Sequence, residues 1–189
     1  MNQEVNYGKK WLVLASVSLG VFMATLDGSI VNVALPTLER ELNTTFALVQ
    51  WVVLAYLLTL VTLTLVVGRL GDMLGKKPLY IAGFILFILG SGLCGLSQSV
   101  SALIAFRVVQ ALGAVMTMSL GAAITTEAFP PSERGKALGI TGLMVSLGAI
   151  SGPTIGGLLL GSLSWHWIFW VNLPIGLVAV LVALRGLPN

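Results

Sequence analysis

Long apolar stretches dominate this sequence, and short polar connections separate them. Six stretches approach or exceed the roughly 20 residues that a helix needs to cross a hydrocarbon core. They lie at 11–35, 46–67, 79–96, 102–125, 137–160 and 165–184. The connections between them leave no room for a soluble domain. The pattern therefore predicts an all-α membrane protein, with a six-helix transmembrane bundle over 11–185 and short ends at 1–10 and 186–189.

Composition and charge agree with a chain that has the lipid bilayer as its solvent. Hydrophobic residues make up 57% of the sequence and charged residues 9%, whereas a soluble domain carries about 25% charged residues. With a cytoplasmic N-terminus, the basic residues outside the spans divide unevenly, and Arg40 is alone on the outer side. The inner side would hold Lys9, Lys10, Arg69, Lys76, Lys77, Arg134, Lys136 and Arg185. This distribution predicts cytoplasmic termini and does not indicate nucleic acid, which would need one basic soluble face.

Residues that carry enzyme or metal chemistry are sparse in this sequence. His166 is the single histidine and Cys94 the single cysteine, so the sequence contains neither a disulfide framework nor a metal-ligand cluster. It also lacks a nucleophile paired with a base and a Walker loop. Lys9 and Lys10 precede an apolar run as in a signal peptide, but the run is long and no small-residue cleavage site follows it. We expect no enzyme, no metal and no cofactor, and an uncleaved first helix.

Two charges, Asp27 and Arg107, lie inside apolar stretches of membrane length. Such a charge costs roughly 2.5–3.5 kcal/mol on insertion scales, so it usually faces a bundle interior or a water-filled path. At about 1.5 Å per residue, Asp27 lies roughly 20 Å from the cytoplasmic edge and Arg107 roughly 8 Å from the outer edge of a core about 30 Å thick. An ion pair is therefore possible. It would serve either proton loading or static helix packing, and Gln110, three residues after Arg107, could bond either charge or a substrate.

The same spacing divides the chain into two units of three helices, 1–98 and 99–189, each with a buried charge in its first helix. Units related by inverted topology would place the first and fourth helices in equivalent positions beside a central site. We predict this repeat from spacing alone, because the two units share no strong sequence match.

Several motifs together resemble the major facilitator superfamily. The segment 68–77 reads GRLGDMLGKK, which is similar to the signature loop of that family, although Met73 stands where a basic residue is usual. The fourth stretch, from Arg107 to Gly113, resembles the motif whose arginine the family associates with proton coupling, with Ala111 in place of a glycine. The fifth stretch resembles the antiporter motif of drug:proton exchangers through Gly139, Gly148, Gly152, Pro153, Gly156 and Gly157.

Three further segments narrow the resemblance to the fourteen-helix branch of drug:proton antiporters. They read LDGSIVNVALP at 26–36, QWVVLAY at 50–56 and WHWIFWVNLPIG at 165–176. In the last segment His166 replaces the usual arginine, and its tryptophans suit an aromatic belt at the outer interface. The resemblance covers nearly the whole chain after the first ten residues.

The resemblance implies the N-terminal half of a proton-coupled multidrug exporter in a bacterial inner membrane. It assigns proton coupling to Asp27, Arg107 and Gln110, and a hinge to the six antiporter-motif residues. The gating loop would include Gly68, Asp72, Gly75, Lys76 and Lys77, and the substrate cavity would include Trp51 and Tyr56.

The implied partners are the bilayer, protons, an amphipathic small molecule and a second six-helix bundle, since complete members have twelve or fourteen helices. A fragment of a longer protein, a split transporter and a homodimer all remain open. So do two other functions: a non-transporting scaffold that binds another transporter bundle, and an importer or leak.

Overall fold

The computed structural model describes residues 7–187, and helices account for most of them. Six helices or helix pairs are long and apolar enough to cross a membrane. The chain is an all-helical, multi-pass membrane protein, as the hydrophobic pattern predicts. After a short 3₁₀ turn at Tyr7–Lys9, the helices are α1 (Lys10–Glu41), α2 (Phe46–Val49), α3 (Trp51–Leu74), α4 (Lys76–Cys94), α5 (Val100–Ala128), α6 (Arg134–Ser162), α7 (Trp167–Trp170) and α8 (Asn172–Gly186).

Side-chain caps and one glycine define several helix ends. Thr45 precedes α2 in extended backbone and its side chain accepts a hydrogen bond from the Leu48 amide. Ser99 precedes α5 in the same way and accepts from the Ala102 amide at 3.2 Å. Such caps satisfy amides that have no partner inside the helix.

The segment 68–77, which the sequence analysis treats as a loop, is helical as far as Leu74. Helix α3 continues through Gly68 and Gly71 to Leu74, and the chain turns only at Gly75, whose φ is +92°. A side chain at Gly71 would collide with Leu120 of α5. Gly71 thus serves close helix packing, and Gly75 alone provides the backbone conformation that a sharp turn needs.

Two predicted helix bounds also change. Helix α1 runs through Pro36 to Glu41. The prediction ended too early because the last part of the helix lies outside the apolar stretch and has no hydrophobic pattern. The sixth span begins with the short α7 and breaks at Val171 before α8. Asn172 is therefore the first residue of α8.

Helix α1 lies at the centre of the bundle and contacts α5, α6 and α8. Of the apolar, membrane-spanning part of α1, 67% is buried inside the bundle. The corresponding shares are 22% for the span formed by α2 and α3 and 17% for α6. Helices α3 and α4 pack against α5 on the other side. The first and fourth spans, α1 and α5, thus meet in the bundle interior, and α3 and α6 present most of their surface outwards.

Basic and acidic residues join the helix ends at one side of the bundle. Lys10 Nζ lies 2.6 Å from Glu133 Oε2, and Lys76 Nζ lies 2.7 Å from Glu127 Oε1. Lys9 donates to the Arg185 carbonyl at 3.3 Å, which brings the start of α1 to the end of α8. The predicted cytoplasmic ends at 1–10 and 186–189 lie at this side, except that 1–6 and 188–189 are outside the described residues.

Candidate functional site

Asp27 and Arg107 form an ion pair in the bundle interior. Arg107 Nη1 donates to Asp27 Oδ2 at 2.5 Å, and both side chains are fully buried. Among the described residues these are the charged side chains in the buried core. The depth argument allowed this pair, and it does not distinguish a proton site from a static pair.

Two neutral amides complete the surroundings of the Asp27 carboxylate. Its Oδ1 accepts from Gln110 Nε2 at 2.8 Å and from Asn172 Nδ2 at 2.7 Å. Both amide side chains are fully buried. Three donors from α5 and α8 therefore converge on one carboxylate of α1, and they occupy both of its oxygen atoms.

Arg107 has partners other than Asp27. Its Nη1 also donates to Gln110 Oε1 at 2.7 Å, and its Nε donates to the Val52 carbonyl of α3 at 3.1 Å. The guanidinium carbon lies 4.1 Å from the centre of the Tyr56 ring, within the range of a cation–π interaction. Contacts with α3 and α5 therefore hold the Arg107 guanidinium in addition to its bond with Asp27.

Asn172 and Ser91 belong to this cluster, although the sequence analysis did not single them out. Asn172 Nδ2 donates to Ser91 Oγ at 3.0 Å, and Ser91 donates to the Phe169 carbonyl at 2.8 Å. Asn172 lies within the segment 165–176 that carries the family resemblance, and this resemblance could have indicated its role. Ser91 is a small polar residue in an apolar helix, and no pattern in the sequence indicates its role.

Gly148, Gly152 and Gly156 form a glycine stripe on α6 that packs directly against α1. A side chain at Gly148 would meet Thr25 and lie 2.9 Å from the Phe22 carbonyl, and one at Gly152 would meet Ser29. Gly156 is close to Ile30 at ordinary contact distance. Small residues here allow the two helices to approach closely beside Asp27.

Pro153 leaves a gap in the α6 hydrogen bonds that α1 fills. A proline has no amide hydrogen, so the carbonyl four residues earlier, that of Ala149, loses its usual partner. Ser29 Oγ donates to the Ala149 carbonyl at 2.8 Å. This bond links the two helices two residues from Asp27.

The other antiporter-motif glycines do not join this packing. No atom lies within 4 Å of a side chain built at Gly139 or Gly157. These two residues are 18 positions apart, about five turns at 3.6 residues per turn, and Gly148 lies midway, half a turn out of phase. The motif therefore occupies two opposite faces of α6, one against α1 and one open.

Apart from Tyr56, the remaining predicted site residues lie away from the ion pair. Asp72 pairs with Lys76 at 3.3 Å across the α3–α4 turn. Lys77 lies at the same turn and is partly buried. Gly68 lies inside α3, where a side chain would meet nothing within 4 Å. Trp51 is 47% exposed. Tyr56, the second predicted cavity residue, is buried against Arg107.

His166 lies on the loop before α7, stacked on Trp165 with ring centroids 3.9 Å apart. Partial burial lowers the pKa of His166, which favours its neutral form. Trp165 is 5% exposed and thus packs in the bundle, contrary to the aromatic-belt expectation for that residue. Trp167 is 42% exposed, as an interface residue would be.

A buried, paired carboxylate between packed transmembrane helices defines a multi-pass membrane protein with a polar interior site. The family model described as the Major Facilitator Superfamily matches residues 17–189. The chain belongs to the major facilitator superfamily, a family of transporters and not of enzymes.

Curated relatives share sequence across nearly the whole chain. The riboflavin transporter RibZ of Clostridioides difficile (strain 630) is 46% identical over 181 residues, which cover 96% of this chain and 40% of that protein. The multidrug transporter protein MdtP of Bacillus subtilis (strain 168) is 35% identical over 187 residues, 99% of this chain and 34% of that protein. The chain thus spans well under half the length of the curated relatives it matches.

The fold is also similar to a solved structure. A crystal structure of a bacterial homologue of the human lysosomal transporter Spinster, inward-facing and unoccupied, superposes with a TM-score of 0.74 at 21% identity. The match covers 98% of this chain and 45% of that one. The two proteins share the six-helix bundle as a fold.

Proposed function

We propose that the chain is the N-terminal half of a proton-coupled exporter of amphipathic organic compounds, with Asp27 as the proton-binding group. The observation that supports this most is that Arg107 has neutral partners of its own besides Asp27. Asp27 accepts from Arg107 and from two amides, and Arg107 also bonds a carbonyl, an amide oxygen and an aromatic face. A neutral Asp27 would therefore leave Arg107 partnered.

Proton binding at Asp27 would act through the helices that meet there. The charged carboxylate holds α1 to α5 through Arg107 and Gln110, and to α8 through Asn172. A proton on the carboxylate removes the ionic attraction and turns one acceptor oxygen into a donor. The contacts between α1 and its neighbours then change with the proton, which is the requirement for coupling proton flow to a conformational change.

Exchange of substrate for protons would also need a second bundle. Alternating access in this class of fold moves two helix bundles around a site at the membrane midplane. In this proposal the open face of α6 with Gly139 and Gly157 receives the second bundle, and Asp72 with its turn forms part of the inner gate. Gln110 supports the proton site, Trp51 lies near the cavity, and the basic side of the bundle faces the cytoplasm of a bacterial inner membrane.

The test is proton-driven export by the complete two-bundle protein in proteoliposomes, measured with a cationic amphipathic dye. We expect Asp27→Asn to abolish accumulation driven by a pH gradient. Glu41→Gln, which neutralises an exposed carboxylate at the end of the same helix, is the matched control and should export normally. Gradient-driven export that survives Asp27→Asn would refute the assignment. Absence of export by both the native protein and the variant would instead favour a scaffold that binds another bundle.

A second candidate substrate comes from the comparison with RibZ. Its name states riboflavin transport, and its identity of 46% exceeds the 35% of the multidrug transporter MdtP. The candidate function is transport of riboflavin through the same site. Uptake of labelled riboflavin by vesicles that do not export the dye would favour it over multidrug export.

A further inference from the structure

The two amides that bond Asp27 differ in how their oxygen atoms are held. Gln110 Oε1 accepts from Arg107 Nη1 at 2.7 Å and faces the Cys94 thiol at 3.7 Å. Asn172 Oδ1 is buried and has no hydrogen-bond partner among the described residues. A buried oxygen without a partner costs free energy, so its position asks for an explanation.

While Asp27 is charged, the orientation of the Asn172 amide is fixed. Its Nδ2 donates to Asp27 Oδ1 at 2.7 Å. The reverse orientation would bring a neutral oxygen against a charged one, with no hydrogen between them. Asn172 Oδ1 therefore lacks a partner because the Nδ2 of the same amide donates to the Asp27 carboxylate.

When Asp27 binds a proton, this requirement reverses. The new O–H group needs an acceptor, but Gln110 and Asn172 both present N–H groups to Oδ1. Gln110 cannot turn, because its NH₂ group would then face the Arg107 guanidinium. Asn172 has no such restraint, and a turn of its amide would place Oδ1 opposite the protonated carboxyl.

Ser91 is suited to follow this turn. It accepts from Asn172 Nδ2 and donates to the Phe169 carbonyl of α7. A hydroxyl group can exchange these roles by rotation. With the Asn172 amide reversed, Ser91 would donate to Asn172 Oδ1 and release the Phe169 carbonyl.

We propose that Asn172 is a positioning residue of the proton site, which donates to the charged Asp27 and turns its amide to accept from the protonated one, with Ser91 turning in response. The inference rests on the proposed function in that Asp27 takes up a proton. It adds a path from that proton to α7, through Ser91 and the Phe169 carbonyl.

Other ionisable groups near Asp27 do not account for such a response. They are Arg107 on α5, Tyr56 on α3 and Cys94 on α4. At this depth α6, α7 and α8 contribute groups that do not ionise: Gly148, Phe169 and Asn172. Infrared spectroscopy separates a carboxylic acid from a phenol, a thiol and a guanidinium, and the loss of a band in Asp27→Asn separates Asp27 from the other six carboxyl side chains of the sequence.

The experiment is a pH titration of the full chain in liposomes, followed by infrared difference spectroscopy. The carbonyl band of protonated Asp27 is identified by its loss in Asp27→Asn. We expect Asn172→Leu, which keeps the branched shape of the side chain but removes the acceptor, to move this band to higher wavenumber. The matched control is Asn32→Leu on α1, where the native amide is exposed and bonds only the Gly28 carbonyl, and its band should stay in place.

A second variant keeps the proposal testable if Asn172→Leu does not fold. With isotope-labelled phenylalanine carbonyls, the native chain should show a carbonyl shift on protonation of Asp27, and Ser91→Ala should lose it. An Asp27 band that is unmoved by Asn172→Leu, or a Phe carbonyl response unchanged by Ser91→Ala, overturns the inference and leaves the proposed function intact. The absence of any protonated Asp27 band would overturn both.

Discussion

Among single residues, Arg107 is held by the shape of its guanidinium as well as by its charge. It donates in one direction to the Val52 carbonyl and in another to Asp27 and Gln110, with its planar face on Tyr56. Lysine offers a point charge without the planar fork. We expect Arg107→Lys to lower the free energy of unfolding by about 2 kcal/mol, the scale of a hydrogen bond to a charged group. Unfolding in mixed micelles measures this change.

The matched control is Arg40→Lys, since Arg40 is exposed at the end of α1 and should tolerate the exchange. A second comparison is Arg107→Ala, which leaves the Asp27 charge buried without its partner and should cost about 3–5 kcal/mol. Equal stability of Arg107→Lys and the native chain would show that charge alone holds the site.

At this scale the sequence reveals charges better than their neutral partners. Asp27 and Arg107 stand out because charge is costly in an apolar stretch, and Gln110 follows from its spacing to Arg107. Asn172 and Ser91 are uncharged and carry no such penalty, so their role depends on which helices meet. The Val52 carbonyl could not be found at all, since every residue has one.

Among the helices, α6 shows most clearly how one motif serves two surfaces. Gly152 is closed by Ser29 of α1, whereas Gly157 faces open space. We expect Gly152→Ala to destabilise the chain by about 1–3 kcal/mol, as overpacking does. Gly157→Ala should be neutral or stabilising by up to about 1 kcal/mol, since alanine favours a helix. Unfolding of the chain alone measures both, and equal losses would contradict the two-face assignment.

The existence of each helix was predictable, because about 20 apolar residues in sequence leave few alternatives in a bilayer. The residues at which the helices begin and end were less predictable. Segment 68–77 contains three glycines, which indicated a loop, yet two of them lie inside α3 and only Gly75 turns the chain. Helix packing against Leu120 explains Gly71, and that contact is not visible in the local sequence.

In the whole molecule, the open face of α6 is the best candidate for the contact with a second bundle. It carries Gly139, Gly157 and Pro153, and Leu143 follows Gly139 by about one turn. This face of α6 also carries the exposed Ile150, but the small residues between its large side chains allow another helix to approach closely. The outward face of α4 instead carries large side chains such as Ile85 and Leu89. The sequence alone could not make this distinction, because both helices are apolar throughout.

Cysteine cross-linking in the complete two-bundle protein tests this contact. Leu143 and Leu89 are 61% and 58% exposed in the bundle, so a cysteine at either position is equally accessible from lipid. In a background with Cys94 replaced by alanine, we expect Leu143→Cys to cross-link to cysteines placed in the second bundle and Leu89→Cys to remain unlinked. The physical reason is that only the small-residue face allows the backbone approach that a short cross-linker spans. Equal cross-linking at both positions would remove the distinction between the two faces. Absence of cross-linking at Leu143→Cys would mean that α6 faces lipid, and the second bundle would then have to contact the other largely exposed helix, α3.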